Sequence, residues 1–170
     1  AFEDKKSSRN FEVRVASDSM IHREQVRGRS DETLAINQAL MKFEVGSGTH
    51  AHSYLFERDG FLVQSPLTCY SSVQKWELSP GYDPTAHATF DRTVTTTCAF
   101  CHVGSIRTQG NHLERFAIDE LTIGCERCHG VGGRHVRFHS ANDPSKDQGL
   151  IDDIVNPSRL SRSLGEAVCS

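Results

Sequence analysis

Long apolar stretches are missing from this 170-residue sequence. No run approaches the roughly 18 apolar residues of a membrane-spanning helix, so we expect no membrane span in this chain. Residues 1–6 read AFEDKK and lack the apolar core of a signal peptide. We therefore expect a mature or excised soluble chain.

Concentrated charge of one sign and local catalytic motifs are missing as well. The 19 Lys and Arg residues are scattered among 22 Asp and Glu residues, and the net charge is −3. Nucleic-acid binding therefore has no electrostatic basis. The sequence contains neither a glycine-rich phosphate loop nor a G-x-S-x-G nucleophile motif, so we predict no catalytic side chain.

Apolar residues are sparse, at 36% of the sequence against a usual share of about 45–50%. A chain of this length is expected to form one domain, over 1–170. Something besides side chains is then expected to fill part of the core.

Cysteine and histidine, by contrast, are abundant and follow a pattern. Residues 98–102 (CAFCH) and 125–129 (CERCH) both read C-x-x-C-H, the attachment sequence of c-type haem. Positions i, i+3 and i+4 share one face of a helical turn, so both thiols can reach the vinyl groups of one porphyrin and the histidine can lie beneath the iron. We predict two covalently bound haem c groups. Their attachment thiols and proximal iron ligands would be Cys98, Cys101 and His102, and Cys125, Cys128 and His129.

Two other site types share part of this pattern. Paired C-x-x-C units occur in four-cysteine zinc sites, and a single unit can form a redox disulfide. A histidine directly after both units favours haem over these alternatives. Haem would also account for the shortage of apolar residues, because each porphyrin is a large flat apolar body.

The distal side of the two irons has seven remaining histidines to choose from and only 2 methionines, which favours bis-histidine ligation. His135 follows His129 by six residues. To bind the same iron from the far side, these residues would have to pass around the porphyrin edge, a path of order 20 Å that is nearly their fully extended length. His135 is therefore expected to reach the neighbouring haem instead. His50 lies in a loop where Gly46 and Gly48 allow close approach of a flat ligand. His135 and His50 are the best distal candidates. The weaker candidates are His52, His87, His112 and His139, whereas His22 is expected to be exposed.

Two cysteines fall outside the motifs. Cys169 could open a third C-x-x-C-H and so bind a third haem, which would make this chain a fragment of a longer protein; the alternative is a free C-terminal thiol. Cys69 has no partner at motif spacing and is expected to be a buried small apolar residue.

Strand signals dominate the first half of the sequence. Residues 11–15 and 20–27 alternate between apolar and polar side chains, as half-buried strands do. The pair Asp59-Gly60 predicts the turn of a β-hairpin over about residues 53–64. Residues 31–45 fit either a capped helix or a strand, and strand is favoured for 39–45.

Glycine, proline, cysteine and histidine become frequent in the second half, and periodic patterns disappear. We predict an α+β fold. An antiparallel β-rich part at about 11–78 would be followed by a haem-binding part at about 79–170, made of short helices and loops wrapped around the cofactors.

Residues 124–136, GCERCHGVGGRHV, resemble the haem segment of bacterial multihaem c-type cytochromes related to the tetrahaem carriers. In that superfamily a glycine-rich turn and an axial histidine commonly follow the second motif, which implies this role for His135. One departure is Val131, which stands where proline is frequent.

Four further segments resemble, more specifically, the cytochrome domain that precedes tetratricopeptide repeats in some large bacterial secreted proteins. They are residues 45–50 (VGSGTH), 53–55 (SYL), 79–82 (SPGY) and 155–160 (VNPSRL). Those domains carry a further C-x-x-C-H near the position of Cys169, which this chain does not complete. The similarity spans about residues 40–170.

The resemblance implies a bacterial electron-transfer domain that works in the periplasm or another exported location, since haem of this kind is attached on the oxidising side of the cytoplasmic membrane. It also implies redox partner proteins and a downstream repeat domain. Two alternatives are a haem enzyme with one open iron site, acting as a small-molecule oxidoreductase, and a haem-based sensor or docking module.

Overall fold

A computed structural model describes residues 1–4, 7–83, 89–140 and 154–168. Antiparallel strands account for 45% of the described residues and helices for 18%, and 4 short helices lie among them. The protein is therefore β-rich, and the predicted α+β fold with a haem-wrapping helical segment is wrong. The chain forms two compact units, the first made of residues 1–96 and 108–116 and the second of residues 97–107 and 117–170.

Two four-stranded antiparallel sheets build the first unit, and in each sheet the strands follow their order in the chain. The first sheet contains β1 (Phe2–Asp4), β2 (Arg9–Ala16), β3 (Ser19–Arg27) and β4 (Thr33–Leu40). The second contains β5 (Phe43–Val45), β6 (His52–Arg58), β7 (Phe61–Tyr70) and β8 (Lys75–Leu78). Residues 31–45, which fitted either helix or strand, thus contribute to two strands.

The predicted hairpin is present as the β6–β7 pair, in which Arg58 lies opposite Phe61. Asp59 and Gly60 have φ angles of 52° and 80°. Two consecutive positive φ angles define the type I′ turn, whose twist matches that of the flanking strands.

The prediction of the fold class missed a β-hairpin that lies between the two C-x-x-C-H motifs. Helix α1 (Thr96–His102) is followed by a second hairpin, made of β9 (Ser105–Gln109) and β10 (His112–Glu120). Gly110 has a φ of 65° at the turn, and Gly-Asn between two strands is a recognised hairpin signal that the composition of this region obscured. The remaining described elements are α2 (Glu126–His129), α3 (Gly133–His139), a 3-10 turn at Pro157–Arg159 and α4 (Arg162–Ala167).

The segment that leads into the first motif is held on strand β7. The amide of Gln64 donates to the carbonyl of Arg92 at 2.8 Å, and the amide of Val94 donates to the carbonyl of Leu62 at 2.8 Å. This pairing fixes the chain two residues before α1 begins.

The apolar core of the first unit forms around Phe56, Val63 and Phe90, with Ala39 and Met41 packed against them. These residues come from strands of both four-stranded sheets and from the segment that precedes α1. The first unit therefore has a core made entirely of side chains.

His22 lies in the interior, so its predicted exposure is wrong. Its Nδ1 is 2.6 Å from Ser65 Oγ, and its ring makes edge contacts with the rings of Tyr54 and Trp76. Because the second sheet supplies these three neighbours, His22 links the sheets. Burial lowers the pKa of His22 to about 4, so the ring is neutral near pH 7.

Glu24 is a second fully buried polar residue on β3. Arg9 donates to its carboxylate at 2.6 Å and Asn37 at 2.7 Å, and the Thr89 hydroxyl donates to the same carboxylate. These three donors replace the hydrogen bonds to water that the Glu24 carboxylate loses on burial. A buried charge requires such partners.

Acid is expected to destabilise the first unit through His22. The unfolded chain binds a proton there near pH 6.5, whereas the folded chain does so only near pH 4. The free energy of unfolding should therefore fall by about 3 kcal/mol as the pH drops through this range, with no further loss from this group below it. Urea unfolding followed by circular dichroism measures the change. The His22→Gln variant should lack this part of the pH dependence; an unchanged dependence would contradict the assignment.

Replacing Arg9 with methionine is expected to destabilise the protein by about 3–5 kcal/mol, because it leaves a buried carboxylate without its cationic partner. Arg14→Met is the matched control on the same strand, since the Arg14–Glu12 pair is exposed and should contribute little to stability. Chemical denaturation compares the two variants, and equal losses would refute the role of the buried pair.

Candidate haem attachment sites

The first motif lies on helix α1 in the arrangement that its spacing predicts. Cys98, Cys101 and His102 occupy positions i, i+3 and i+4 and are exposed, whereas Ala99 is buried. The amide of Thr96, at the start of the helix, donates to a carboxylate oxygen of Glu114 at 2.7 Å. The two thiols and the imidazole therefore share one accessible face of a helix with an anchored first residue.

The second motif forms a shorter helical turn. Cys125 has helical backbone angles, with φ −57° and ψ −36°. Its carbonyl accepts the amides of Cys128 at 3.2 Å and His129 at 3.0 Å. These bonds close one turn around the motif and place its two thiols and its imidazole on the same face.

His129 is oriented by a bond to the backbone. Its Nδ1 lies 2.8 Å from the carbonyl oxygen of Val155. A carbonyl can only accept, so Nδ1 carries the proton and Nε2 presents a lone pair. Histidines that bind metals in proteins nearly always donate their other ring N–H in this way, which fixes the tautomer and the ring orientation.

The same contact is reciprocal, because the amide of Val155 donates to the carbonyl of His129 at 3.0 Å. Residues 129 and 155 thus form a two-bond pair although they are 26 positions apart. No sequence signal pointed to this pairing.

The two middle residues of the second motif bind neighbouring elements of the second unit. A carboxylate oxygen of Glu126 accepts the amide of Gly132, the residue before α3, at 2.6 Å. Arg127 donates to the carbonyls of Gly104 and Val103, at 2.6 and 3.3 Å. Sequence reasoning treated both positions as unspecified, and their opposite charges were the only available hint.

Helix α3 carries His135, the preferred distal candidate, together with His139. Their ring centroids are 4.6 Å apart, as expected for positions i and i+4 of one helix. His135 is half-buried and His139 is exposed. Both belong to the same compact unit as the two motifs.

Three other distal candidates, His50, His52 and His112, belong to the first unit. His50 is exposed in its loop, whereas the Nδ1 of His52 lies against the carboxylate of Glu44. A Cβ added to Gly48 would meet the His52 ring at 3.1 Å, so this glycine allows packing on a histidine of the protein itself.

The His112 ring makes an edge contact with Phe61, at 5.0 Å between centroids, and its Nδ1 accepts the amide of Glu114 at 3.3 Å. This bond leaves the proton on Nε2, the opposite of the tautomer in His129. His87 and Cys169 lie outside the described residues. Cys69 is half-buried on β7.

The described part of the chain contains no group of three or more histidine, cysteine, aspartate or glutamate side chains that could hold a metal ion. No helix within the described ranges is long and apolar enough to cross a membrane.

Apolar side chains in the second unit are mostly left in solvent. Among its described residues only Ala99 and Val103 are buried apolar side chains, and Val131 is 84% exposed. Eight larger apolar side chains of this unit are exposed: Phe100, Leu121, Ile123, Val131, Val136, Val155, Leu160 and Leu164. Five of them lie within or close to the two motifs in sequence.

Compared with protein-family models, curated proteins and solved structures, the chain matches none of them.

Replacing Glu126 with alanine is expected to release the amide of Gly132 and to loosen the start of α3, at a cost of about 1 kcal/mol. Hydrogen exchange at Gly132 and in residues 133–139 measures this loss. Glu126→Gln keeps an acceptor oxygen and should retain most of the protection. Equal exchange in the alanine variant and the unsubstituted protein would contradict the role of Glu126.

Proposed function

We propose that this protein is an electron-transfer domain of the multihaem c-type cytochrome class that holds at least two covalently attached haems. The observation that carries the proposal is the bond from His129 Nδ1 to the Val155 carbonyl, at 2.8 Å. This bond supports the proposal because a neutral imidazole held in this way would have Nε2 available to bind iron, at the one position of a C-x-x-C-H motif that requires it.

The donor set of each motif fits a haem. Cys98 and Cys101 would hold one porphyrin through thioether bonds, with His102 as the proximal ligand. Cys125 and Cys128 would hold the other, with His129 beneath its iron. When bound, the iron carries the electron, and the protein sets its potential through the axial ligands, burial and nearby charge.

The exposed apolar side chains of the second unit support the same proposal. Among the described residues of this unit, two small apolar side chains are buried and eight larger ones are exposed, so these residues form little of the apolar core that normally stabilises a fold. Two porphyrins attached at the motif faces would cover apolar surface such as Phe100, Val131 and Val136. A zinc site or a disulfide adds no comparable apolar surface.

For the distal ligands we propose His135, which shares a compact unit with both motifs. His112 is disfavoured, because its Nδ1 accepts a hydrogen bond and its Nε2 therefore carries the proton. His50 and a third haem at Cys169 stay predictions. The proposal includes export across the bacterial cytoplasmic membrane, because haem of this kind is attached on its oxidising side. It also includes redox proteins as partners.

Each cysteine pair is expected to hold one haem independently. In cells that export the protein and attach haem c, Cys98→Ala/Cys101→Ala and Cys125→Ala/Cys128→Ala should each carry one haem fewer than the unsubstituted protein. Intact mass and the reduced absorption spectrum measure the count. Cys69→Ala is the matched control and should lose no haem.

Carbon monoxide separates carrier from enzyme in the same samples. Reduced bands that carbon monoxide leaves unchanged indicate closed, six-coordinate irons and support electron transfer, whereas a shift indicates an open iron and supports the haem-enzyme or sensor alternative. Protein without haem bands that instead contains stoichiometric zinc would refute the proposal.

A further inference from the structure

The two motifs of the second unit are in direct contact through Arg127. Its guanidinium carbon lies 4.8 Å from the centroid of the Phe100 ring. Both residues are the second middle residue of a C-x-x-C-H motif, one in each helix. The cation of the second motif thus stacks on the aromatic ring of the first, a favourable arrangement for arginine.

The same guanidinium also binds the end of helix α1. Its Nη2 donates to the carbonyl of Gly104 at 2.6 Å and to that of Val103 at 3.3 Å. The amide of Val103 in turn donates to the carbonyl of Ala99 at 3.0 Å, so these carbonyls directly follow the last turn of α1. Carbonyls at a helix C-terminus are otherwise unpaired and carry partial negative charge, which favours a cationic donor.

These contacts constrain Arg127 in two directions. The ring contact holds the guanidinium carbon over Phe100, and the hydrogen bonds of Nη2 fix its position along α1. Because Arg127 lies between Glu126 and Cys128, fixing it also fixes the turn that carries Cys128 and His129. A lysine ammonium could supply the charge but not a delocalised planar cation over the ring together with these hydrogen bonds.

We propose that Arg127 is a positioning residue that sets the separation of the two haems, so that they exchange electrons as a coupled pair. The inference rests on the proposed function, because it concerns haems bound at both motifs. It assigns to a middle residue of one attachment motif the task of fixing that motif against the other.

The test uses holoprotein with both haems attached, counted by intact mass. Magnetic coupling between the two oxidised irons is measured by electron paramagnetic resonance, and the interaction between the two reduction steps by a redox titration. The unsubstituted protein should show coupling in both measurements. Arg127→Gln should keep both haems and lose the coupling.

Two variants separate position from charge. Arg127→Lys keeps the positive charge and loses the guanidinium over the Phe100 ring, so it should lose coupling as Arg127→Gln does. Phe100→Leu removes the ring, keeps an apolar side chain at a half-exposed position and leaves the charge untouched, and it should also weaken coupling. If Arg127→Gln binds haem poorly, the coupling measured in Arg127→Lys and Phe100→Leu tests the positioning role of Arg127 instead.

A matched control should keep the coupling intact. Arg162→Gln removes an exposed cation of the same unit that pairs with Glu166.

Each remaining outcome overturns one statement. Coupling that persists in Arg127→Lys and Phe100→Leu, or that is missing from the unsubstituted protein with two haems, would overturn the positioning role and leave the proposed function standing. Rescue by Arg127→Lys alone would assign Arg127 an electrostatic role instead. Unsubstituted protein without haem would overturn the proposed function.

Discussion

The central constraint in this protein is that, among the described residues of the unit bearing both motifs, Ala99 and Val103 are the only buried apolar side chains. Helices of four to seven residues cannot persist in water without packing, because helix nucleation is costly. In the second unit the described packing includes the buried Ala99 and Val103, the contact of Arg127 with the Phe100 ring and a set of polar bonds. A large apolar body bound at the motif faces, as we propose, would satisfy this constraint.

The polar bonds of the second unit converge on the second motif. Glu126 holds the start of α3, Arg127 holds the end of α1, and His129 pairs with Val155 in both directions. Every residue of this motif that is not a thiol therefore has a defined partner. Such bonds are individually modest, yet together they fix the orientation of His129 and the relation between the two motif turns. The first unit needs no such help, because its own core and the buried partners of His22 and Glu24 stabilise it.

Local patterns predicted much of the first unit and only part of the second. Strands were predicted from the alternation in residues 11–15 and 20–27, and a turn from the Asp59-Gly60 pair. Such features depend mainly on residues that are neighbours in sequence. His22 was misjudged, because its burial depends on Ser65 and Trp76, which are distant in sequence. The β9–β10 hairpin was missed since its Gly110-Asn111 turn lies in a region whose composition is dominated by the motifs. The motif spacing predicted the shared face of Cys98, Cys101 and His102, whereas the partner of His129 could come only from tertiary structure.

Hydrogen exchange tests most directly whether haem completes the second unit. The unsubstituted holoprotein is compared with a variant in which all four motif cysteines are alanine, and amide protection is measured along the chain. The account predicts that the haem-free variant loses protection in residues 97–107 and 117–140 while residues 9–78 keep theirs. Equal protection of the second unit in both proteins would contradict it, because the unit would then be stable without the cofactor.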